Sequence, residues 1–564
     1  MANYSNAHIC HCMSRLSTLR RNSHLTISGN RRQTGPEFVD GVLALAQGLL
    51  RLGLGCGDVV AIAAFNSEWH LEWLLAVAYV GGIAAPLNYR WGFEEAMLAM
   101  EMVNPVLLVM DKSCNHWFPK LWNYDLASLR WRVSLEEEKN SIGTWNFLSM
   151  EAIKKGFARD LPLSYSWAPE GTVLICFTSG TTGKPKGVTI SHSALIVQSL
   201  AKIAIVGYSE DDVYLHTAPL CHIGGLSSAF AMLMTGACHV LIPKFDAKSA
   251  IEAIEKHGVT SLITVPAIMA DLISAPRGKE IWKGRNSIKK ILNGGGGLST
   301  KLIRDAAQFF PRAKLLSAYG MTETCSSLTF MTLYDPKLEI PIQPLETSDG
   351  RKPTSVHPPQ GVCVGKPAPH VELKIYVEGS SRIGRILTRG PHVMLRYWDQ
   401  SPSDASDSSN KDWLDTGDIG YIDDYGNLRL IGRTNGRIKS GGENVYPEEV
   451  ESILSQHPGV MGIVVVGIPD ARLTEMVVAC IQLRNDWQWS HRSSLRHSIS
   501  EERQHLSSDI LRQYCKEKNL AGFKIPKILV FWKKSFPLTT TGKIRRDQVR
   551  EQVMSHLQSF YSNL

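Results

Sequence analysis

Residues 178–187 combine side chains and backbone suited to binding phosphate. They read Thr-Ser-Gly-Thr-Thr-Gly-Lys-Pro-Lys-Gly. The glycines let backbone N–H groups turn toward an anion, while the hydroxyls add donors and the lysines add positive charge. A Walker A loop is excluded, because it needs four residues between its first glycine and the Gly-Lys pair, followed by Ser or Thr. The segment therefore predicts a mobile hairpin loop that folds over phosphates; the alternative is a flexible Gly/Thr turn.

This phosphate loop lies within a chain that alternates between strand-length and helix-length segments. Apolar strand candidates occupy residues 59–64, 172–177, 188–190, 261–265 and 290–293. Residues 38–52 predict a helix, because their apolar side chains recur on one face. Ser191 is a plausible N-cap for another helix. The alternation predicts an α/β protein with buried sheets flanked by helices.

The pattern of predicted helices and strands changes after Gly432. Strand candidates at 462–466 and 477–483 predict a short α+β unit, interrupted by a polar insertion at 487–504. We therefore predict two domains, 1–434 and 435–564. Residues 341–359, rich in proline, and residues 399–410, rich in Ser and Asp, predict surface loops.

The composition of the chain limits the kinds of molecule that it is expected to bind. The 564 residues carry 61 Lys and Arg against 53 Asp and Glu, a net charge of +8. This mild excess suits polyanionic small molecules and does not require nucleic acid, and no basic stripe is interleaved with aromatics. The 11 irregularly spaced cysteines predict free thiols. No apolar run is long enough to predict a transmembrane segment.

Six further motifs follow the phosphate loop. They are 294–297 (four glycines), 319–323 (Tyr-Gly-Met-Thr-Glu), 413–418 (Trp-Leu-Asp-Thr-Gly-Asp), 432–433 (Gly-Arg), 439–444 (Lys-Ser-Gly-Gly-Glu-Asn) and 541–543 (Thr-Gly-Lys). In type and order they resemble the adenylate-forming superfamily of acyl-CoA synthetases, luciferases and peptide-synthetase adenylation domains. The resemblance implies a large N-terminal adenylation domain and a small mobile C-terminal domain. It also implies two half-reactions, in which a carboxylate and ATP form an acyl-adenylate and a thiol then displaces AMP.

The resemblance also implies a role for each motif. Thr322 contacts the α-phosphate, and Glu323 helps bind Mg²⁺, an ion that suits one or two carboxylates together with phosphates. Asp418 and Arg433 contact the ribose. The other nucleotide-binding residues are Thr178, Ser179, Gly180, Thr181, Thr182, Gly183, Lys184 and Lys186 for the phosphates, and Gly294, Gly295, Gly296, Tyr319 and Gly320 around the adenine.

By the same resemblance, the adenylation lysine belongs to the C-terminal domain. Lys543 would bridge the attacking carboxylate and the α-phosphate and neutralise both. The domain would then rotate about Asn435, where the family usually has Asp or Lys. His222 would flank the acyl and thiol channels. The residues that would line the CoA channel after rotation are Lys439, Gly441, Gly442 and Glu443.

Two segments indicate which carboxylic acid is the substrate. Residues 219–226 (Pro-Leu-Cys-His-Ile-Gly-Gly-Leu) and 319–327 resemble the 2-succinylbenzoate–CoA ligases of menaquinone and phylloquinone synthesis, above all the plant members. This substrate has two carboxylates, so its pocket needs a polar or basic group for the one that does not react. The candidates are His222, Ser227, Ser228, Ser326 and Ser327.

Three alternatives to this function stay open. The first is a ligase of the same superfamily for 4-coumarate or a fatty acid. The second is a module that loads a carrier protein, although no carrier domain follows residue 543. The third is a catalytically inactive nucleotide-binding scaffold.

The ends of the chain bear on its location. The first 36 residues contain five arginines and no acidic residue, which is typical of a transit peptide but also compatible with the opening of the fold. The last three residues, Ser-Asn-Leu, resemble the peroxisomal address Ser-Lys-Leu. We expect a chloroplast location, a peroxisomal location, or both. The sequence makes no prediction of oligomeric state.

Overall fold

A computed structural model of the chain divides into two compact units. Unit 1 comprises Met1–Val356, Val364–Leu373 and Thr388–Leu414, and unit 2 comprises His357–Cys363, Lys374–Leu387 and Asp415–Leu564. The structure describes residues 7–121, 124, 126–136, 148–156, 165–179, 185–275, 282–338, 361–377, 382–400, 413–440, 443–470, 473–490, 504–518, 520, 522–539 and 542–561. Packing places residues 415–434 with unit 2. The predicted boundary between residues 434 and 435 is the place of the expected hinge. Because a hinge is defined by motion and not by packing, this boundary stays a prediction.

The helices of unit 1 follow the apolar periodicity of the sequence. Their bounds are α1 (Cys12–Leu19), α2 (Gly35–Arg51), α3 (Glu68–Tyr79), α4 (Phe93–Val103), α5 (Phe118–Leu121), α6 (Met150–Lys154), α7 (His192–Lys202), α8 (Ile223–Thr235), α9 (Ala247–His257), α10 (Pro266–Ser274) and α11 (Thr300–Phe309). The helix predicted at 38–52 is confirmed as α2, which a capping box between Thr34 and Glu37 begins. Ser191 caps α7, as predicted, by accepting a hydrogen bond from the N–H of Ala194.

The strands of unit 1 include all those predicted for it. Their bounds are β1 (His24–Ser28), β2 (Arg31–Thr34), β3 (Val59–Ala63), β4 (Ile83–Pro86), β5 (Leu107–Met110), β6 (Trp131–Ser134), β7 (Leu148–Ser149), β8 (Thr172–Ser179), β9 (Pro185–Ser191), β10 (Val213–His216), β11 (Cys238–Leu241), β12 (Ser261–Thr264), β13 (Lys290–Asn293), β14 (Lys314–Tyr319) and β15 (Thr329–Tyr334). Four more strands contain residues of both units: β16 (Val362–Pro367), β17 (Glu372–Tyr376), β18 (Gly384–Arg389) and β19 (Leu414–Ile422), of which only Leu414 belongs to unit 1.

Two sheets form the frame of unit 1. The first has the strand order β7-β6-β5-β3-β4-β8-β9 and is parallel except for the antiparallel pair β8–β9. The second runs β15-β14-β13-β12-β10-β11-β1-β2 and is parallel from β14 to β1. Strands such as β3 are buried along their whole length, as parallel strands covered on both faces require.

One edge of the second sheet gathers several of the predicted motifs. The strands β10, β12, β13 and β14 are neighbours and parallel, so their carboxyl ends lie at the same edge. The loops that leave this edge carry His222, the glycines 294–297 and the segment 319–323. Open α/β sheets bind ligands in crevices outside the carboxyl ends of their strands. The fold therefore brings motifs that are distant in sequence to one side of unit 1.

The acid-poor opening of the chain is part of the core of unit 1 from residue 7 on. Cys10, Met13, Leu16 and Leu25 are fully buried in its largest hydrophobic cluster. Strand β1 pairs in parallel with β11, with Thr26 opposite His239. Residues 7–34 therefore contribute both a helix and the end of a sheet to the folded unit.

Unit 2 contains a β-hairpin and a small α+β sheet. Its strands are β19 (Leu414–Ile422), β20 (Leu428–Arg433), β21 (Ile438–Ser440), β22 (Glu443–Val445), β23 (Val460–Asp470), β24 (Thr474–Leu483), β25 (Trp487–Ser490), β26 (Gln504–Ser507) and β27 (Ile528–Phe531). Its helices are α12 (Pro447–Leu454), α13 (Ser508–Glu517) and α14 (Arg546–Tyr561). Strands β21, β23 and β27 all pair with β24. The strands predicted at 462–466 and 477–483 are confirmed.

Other sequence predictions have mixed outcomes. The polar insertion predicted at 487–504 begins in β25 and ends at β26, which pair in parallel. Its residues 491–503 lie outside the described residues. The loop predicted at 341–359 lies outside the described residues, as do residues 401–410 of the second predicted loop. None of the eleven cysteines is in a disulfide, which agrees with the predicted thiols. In the part of the chain that the structure describes, no helix is long and apolar enough to cross a membrane.

Candidate active site

The magnesium candidate Glu323 is held from two sides in unit 1. Its side chain is buried, and Oε1 accepts a hydrogen bond from the Tyr397 hydroxyl at 2.9 Å. Its backbone carbonyl accepts a 2.8 Å bond from the N–H of Met394. Burial, together with the adjacent Glu323 carboxylate, raises the pKa of Tyr397 well above its usual value. Tyr397 therefore stays protonated and orients the carboxylate as a constant donor.

The turn around Glu323 has an unusual backbone. Thr322–Thr324 form a single 3-10 turn, and the next two residues, Cys325 and Ser326, have φ values of 51° and 110°. Positive φ values at non-glycine residues cost energy and tend to cluster at functional sites. The strained turn supports the assignment of this segment to the site.

Gly320 makes this turn possible. A Cβ atom on Gly320 would lie 1.7 Å from the carbonyl oxygen of Ser326, a distance that only a backbone shift could relieve. The turn therefore requires glycine at this position on steric grounds. The same close approach ties the residue after Tyr319 to the residues that follow Glu323.

We expect Gly320→Ala to destabilise unit 1 by about 3 kcal/mol and to abolish most nucleotide-dependent activity, because overpacking must move the turn. The measurements are urea unfolding and pyrophosphate exchange. Gly92→Ala is the matched control, since no atom lies within 4 Å of its Cβ position. An alanine variant at 320 as stable and active as the control would contradict the steric requirement.

Gln198 holds the same turn through hydrogen bonds. The sequence analysis did not identify this residue. Its Nε2 donates to the carbonyl oxygens of Thr324 at 3.0 Å and Ser327 at 2.6 Å. Gln198 lies on α7 and is fully buried. The available signal was a polar residue on the apolar face of a helix. Buried amides of this kind are retained where they satisfy backbone groups that no strand or helix can satisfy.

The glycine run 294–297 follows β13 directly. The N–H of Gly294 donates to the carbonyl of Thr264 at 2.9 Å, and the Asn293 side chain donates to the carbonyl of Gly296 at 2.7 Å. Gly295 has a φ of 69°, in the region that favours glycine. These hydrogen bonds hold the run beside the end of β12. Its residues carry no side chains, which is what the close approach of a flat ring such as the predicted adenine requires. Tyr319, at the end of the neighbouring β14, is half-buried.

The phosphate loop lies in a hairpin, as predicted. Strands β8 and β9 are antiparallel, with Thr178 opposite Lys186, so a strand and not a helix follows the loop. Lys186 is exposed, and its Nζ lies 5.1 Å from the ring centre of Tyr397, within cation–π range. The residues of this motif that lie outside the described part of the chain are Gly180, Thr181, Thr182, Gly183 and Lys184, together with the side chain of Ser179.

Tyr397 therefore links two motifs, since its ring contacts Lys186 and its hydroxyl contacts Glu323. The structure brings a phosphate-loop lysine and the magnesium candidate to the same tyrosine. A cationic and an anionic group held this way suit a nucleotide triphosphate with its metal ion. The sequence carried no signal for Tyr397, which lies 74 residues beyond Glu323.

His222 lies where β10 leads into α8. It is half-buried, and α8 begins at the next residue. Asn66 pins the preceding loop, because its side chain donates to the carbonyl of Ala218 at 3.1 Å and accepts from the N–H of Leu220 at 2.8 Å. A Cβ on Gly225 would lie 2.2 Å from the carbonyl oxygen of Pro219, so α8 packs tightly against this loop. His222 thus occupies a fixed place at the carboxyl edge of the sheet.

The two ribose candidates form a pair within unit 2. Asp418 and Arg433 are directly opposite each other on β19 and β20, and Nε of Arg433 lies 2.9 Å from Oδ1 of Asp418. The aspartate side chain is only 7% exposed, whereas the arginine is 61% exposed. The exposed guanidinium adds little to stability but fixes the orientation of the carboxylate. Their contact with ribose stays a prediction.

Lys543 lies at the end of a tight turn in unit 2. The N–H of Thr539 donates to its carbonyl at 2.7 Å, and its own N–H donates to the Thr539 hydroxyl at 3.0 Å. The preceding Gly542 has a φ of 80°. The turn presents Lys543 as an exposed residue on a defined backbone.

The CoA-channel candidates fall on a second hairpin of unit 2, made by β21 and β22. Gly441 and Gly442 lie outside the described residues, as do the side chains of Lys439 and Glu443. Their predicted role is therefore not tested by the structure.

Lys202 is a buried cation that sequence reasoning also missed. It is the last residue of α7 and is fully buried. Its Nζ donates to the hydroxyls of Ser227 at 2.6 Å and Ser228 at 3.1 Å, two of the residues proposed for the acid pocket. Burial lowers the pKa of Lys202 to about 7. The sequence signal for Lys202 was a lysine on the apolar face of a predicted helix. Lysine is almost never fully buried unless it has a partner, so this position could have been identified as a candidate.

The family models cover most of the elements described above. The model of the AMP-binding enzyme family matches residues 17–398, and that of the AMP-binding enzyme C-terminal domain matches residues 449–543. The chain belongs to the AMP-binding enzyme family. This confirms the resemblance to adenylate-forming enzymes and the predicted fold class. In this AMP-binding enzyme, the first matched region contains the phosphate loop, the glycine run and the segment 319–323, and the second ends at Lys543. The segments 413–418, 432–433 and 439–444 lie between the two matched regions.

Two curated relatives of this AMP-binding enzyme extend over almost the whole chain. The 2-succinylbenzoate–CoA ligase of Arabidopsis thaliana, named chloroplastic/peroxisomal, is 57% identical over 572 residues, which cover 100% of both proteins. The indoleacetate–CoA ligase of Aromatoleum aromaticum is 32% identical and covers 90% of this chain and 91% of its own.

A solved structure agrees with the fold of this AMP-binding enzyme. The o-succinylbenzoate CoA synthetase of Bacillus subtilis, in complex with its acyl-adenylate intermediate, has a TM-score of 0.73 and 26% identity. The match covers 96% of this chain and 97% of the other.

Proposed function

We propose that this AMP-binding enzyme joins 2-succinylbenzoate to CoA in an ATP-dependent reaction. The acid and ATP form an acyl-adenylate and pyrophosphate, and the thiol of CoA then displaces AMP. The observation that carries the proposal is the full-length relative from Arabidopsis, whose name states this activity. The intact Glu323, Asp418 and Lys543 favour an active enzyme over an inactive nucleotide-binding scaffold.

Unit 1 supplies the groups that act on the nucleotide in the first step. The Gly294–Gly296 backbone and Tyr319 take the adenine, Thr322 contacts the α-phosphate, and the phosphate loop with Lys186 takes the β- and γ-phosphates. The reaction separates charge at phosphate oxygens, so fixed donors and cations lower its barrier most. The Tyr397 hydroxyl orients Glu323 for the same purpose.

The donor set around Glu323 fits Mg²⁺. Among the described residues there is no group of three or more His, Cys, Asp or Glu that could hold a metal ion alone. One oriented carboxylate completed by phosphate oxygens is the arrangement that Mg²⁺ favours, because this ion keeps most of its ligands from water and substrate. When bound, the ion would neutralise phosphate charge. Glu323 would hold it beside the α-phosphate contact Thr322.

Unit 2 supplies the remaining polar groups. The paired Asp418 and Arg433 take the ribose hydroxyls. Lys543 bridges the attacking carboxylate and the α-phosphate in the first step. In the second step, His222 of unit 1 flanks the thiol channel, and the CoA-channel residues are Lys439, Gly441, Gly442 and Glu443.

The test is a panel of acids with ATP, Mg²⁺ and CoA, scored by AMP release and thioester formation. The panel contains 2-succinylbenzoate, benzoate, 4-coumarate, indole-3-acetate, octanoate and palmitate. We expect kcat/KM for 2-succinylbenzoate to exceed that for every monoacid by about 100-fold or more, because a pocket built for a second charge rejects ligands without it. Preferential use of a monoacid would replace the proposed substrate and keep the reaction type.

We further propose a chloroplast location, a peroxisomal location, or both, as in the name of the Arabidopsis relative. The final Ser-Asn-Leu lies outside the described residues. Fluorescent fusions at the amino end and at the carboxyl end, imaged separately, test the two locations. A reporter at the carboxyl end that abolishes only peroxisomal signal would assign that address to the last three residues.

A further inference from the structure

The ammonium group of Lys202 has a defined but incomplete set of partners. It donates to Ser227 and Ser228, both on α8. The Ser227 hydroxyl donates its own proton to the carbonyl of Ile223 at 2.7 Å, so toward Lys202 it acts as an acceptor. An ammonium has three protons, and two neutral hydroxyl oxygens satisfy two of them.

Among the described residues, no carboxylate is found among the groups that shift the pKa of Lys202, and none forms a salt bridge with it. A buried cation without a counter-charge carries a large desolvation cost, which packing alone does not offset. Burial accordingly lowers the pKa of its amine to about 7. Such a position is stable with a neutral amine and becomes a strong receptor once a carboxylate enters beside it.

The position of Lys202 connects the acid pocket to the turn that carries Glu323. Gln198 lies one helical turn earlier on α7, hence on the same face, and binds the carbonyls of Thr324 and Ser327. The Cys325 thiol, between these two residues, interacts electrostatically with the lysine. Lys202 therefore lies between the first turns of α8 and the turn that follows Glu323, where the acyl group of the adenylate is expected.

We propose that Lys202 determines specificity by pairing with the carboxylate of 2-succinylbenzoate that is not adenylated. The inference rests on the proposed function and adds the residue that recognises the second charge. Ser227 and Ser228 hold the ammonium in place for this contact. The substrate class that fits is an aromatic acid with a second, fixed carboxylate, and acids without it leave the buried amine without a partner.

The first test combines a variant with a modified substrate. Lys202→Met keeps an unbranched side chain that is one atom shorter and removes its charge. The monomethyl ester of 2-succinylbenzoate removes the charge of the non-reacting carboxylate. We expect the wild type to prefer the diacid over the ester by about 10- to 100-fold, mainly through KM, as for a charge-assisted hydrogen bond. The variant should lose this preference and keep its rate with the ester.

Lys248→Met, which changes an exposed lysine of α9, is the matched control and should behave as the wild type. Thermal unfolding should show Lys202→Met to be at least as stable as the wild type, because a buried unpaired ammonium is removed. A variant that keeps the wild-type ratio of diacid to ester would overturn the role of Lys202. A wild type that ignores 2-succinylbenzoate and uses a monoacid would overturn both this inference and the proposed function.

The second test needs no variant. At pH 8.5 the free lysine is mostly neutral, and a bound carboxylate raises its pKa, so binding should take up a proton. The titratable groups that face the site are Cys325, whose pKa burial raises to about 12, and Tyr214, whose pKa burial also raises. Both stay protonated at pH 8.5, and the remaining neighbours, Ser227 and Gln198, do not titrate.

Calorimetric titration in the presence of AMP, in two buffers of different ionisation enthalpy, gives the number of protons taken up. We expect close to one proton for 2-succinylbenzoate and none for the monomethyl ester. Equal proton uptake for the two ligands would exclude Lys202 as the partner of the second carboxylate.

Discussion

Lys543→Ala is expected to lower the rate of adenylate formation by about 10²- to 10³-fold, the usual loss when one fixed charge is removed from a transition state. The ammonium would otherwise neutralise both the attacking carboxylate and the α-phosphate as they approach. No other charge replaces it, because alanine leaves the two anions to repel each other. Pyrophosphate exchange with 2-succinylbenzoate measures this step without CoA.

The same variant separates the two half-reactions. If Lys543 acts only in the first, transfer of the acyl group from synthetic adenylate to CoA should stay within a few-fold of the wild-type rate. Lys533→Ala, at another exposed lysine of unit 2, is the control and should leave both steps unchanged. Full adenylation activity in Lys543→Ala would remove this residue from the mechanism.

Glu323→Gln should reduce kcat/KM for ATP by about 10²- to 10³-fold, with a higher Mg²⁺ concentration needed for half-maximal rate. Glutamine has the same shape, and its side-chain oxygen can still accept the hydrogen bond from Tyr397. The loss therefore reports the missing negative charge and not a collapsed turn. Steady-state rates over a range of Mg²⁺ concentrations, with chelator as the zero point, measure both effects.

Tyr397→Phe is the companion variant to Glu323→Gln. It keeps the carboxylate but releases it from its donor, so we expect a loss of about tenfold, the value of one charge-assisted hydrogen bond. If Glu323→Gln and the wild type respond identically to Mg²⁺, Glu323 is not a metal ligand.

Sequence alone predicted those parts of the site that local residue types determine. Four glycines after a short apolar strand indicated a close backbone approach, and the run does follow β13. The apolar segments on both sides of the phosphate loop predicted the hairpin of β8 and β9. Each segment is a short apolar run, the pattern typical of a buried strand. Family resemblance supplied the roles of Lys543 and Asp418, which no local pattern distinguishes from ordinary turn residues.

The groups that position the site could not be predicted, because they are distant in sequence. Gln198 lies 126 residues from Thr324, and Asn66 lies 154 residues from Leu220. Their partners are backbone carbonyls and N–H groups, which have no residue-type signature. Lys202 likewise looks like an ordinary helix-ending cation until packing buries it. The packing of residues 415–434 with unit 2 also depends on long-range contacts that the sequence does not display.

The contact between Gly320 and the Ser326 carbonyl has a consequence for changing the acid that this enzyme accepts. The turn that follows Tyr319, the proposed adenine contact, also ends in Ser326 and Ser327, which are candidates for the acid pocket, so the two proposed pockets share one stretch of backbone. Altering the acid preference through these serines will disturb ATP affinity as well. Redesign should instead proceed from α7 and α8, where Lys202 and Ser227 can be exchanged without moving that backbone. The enzyme's selectivity is thus most open to change on its helices and least open on its loop.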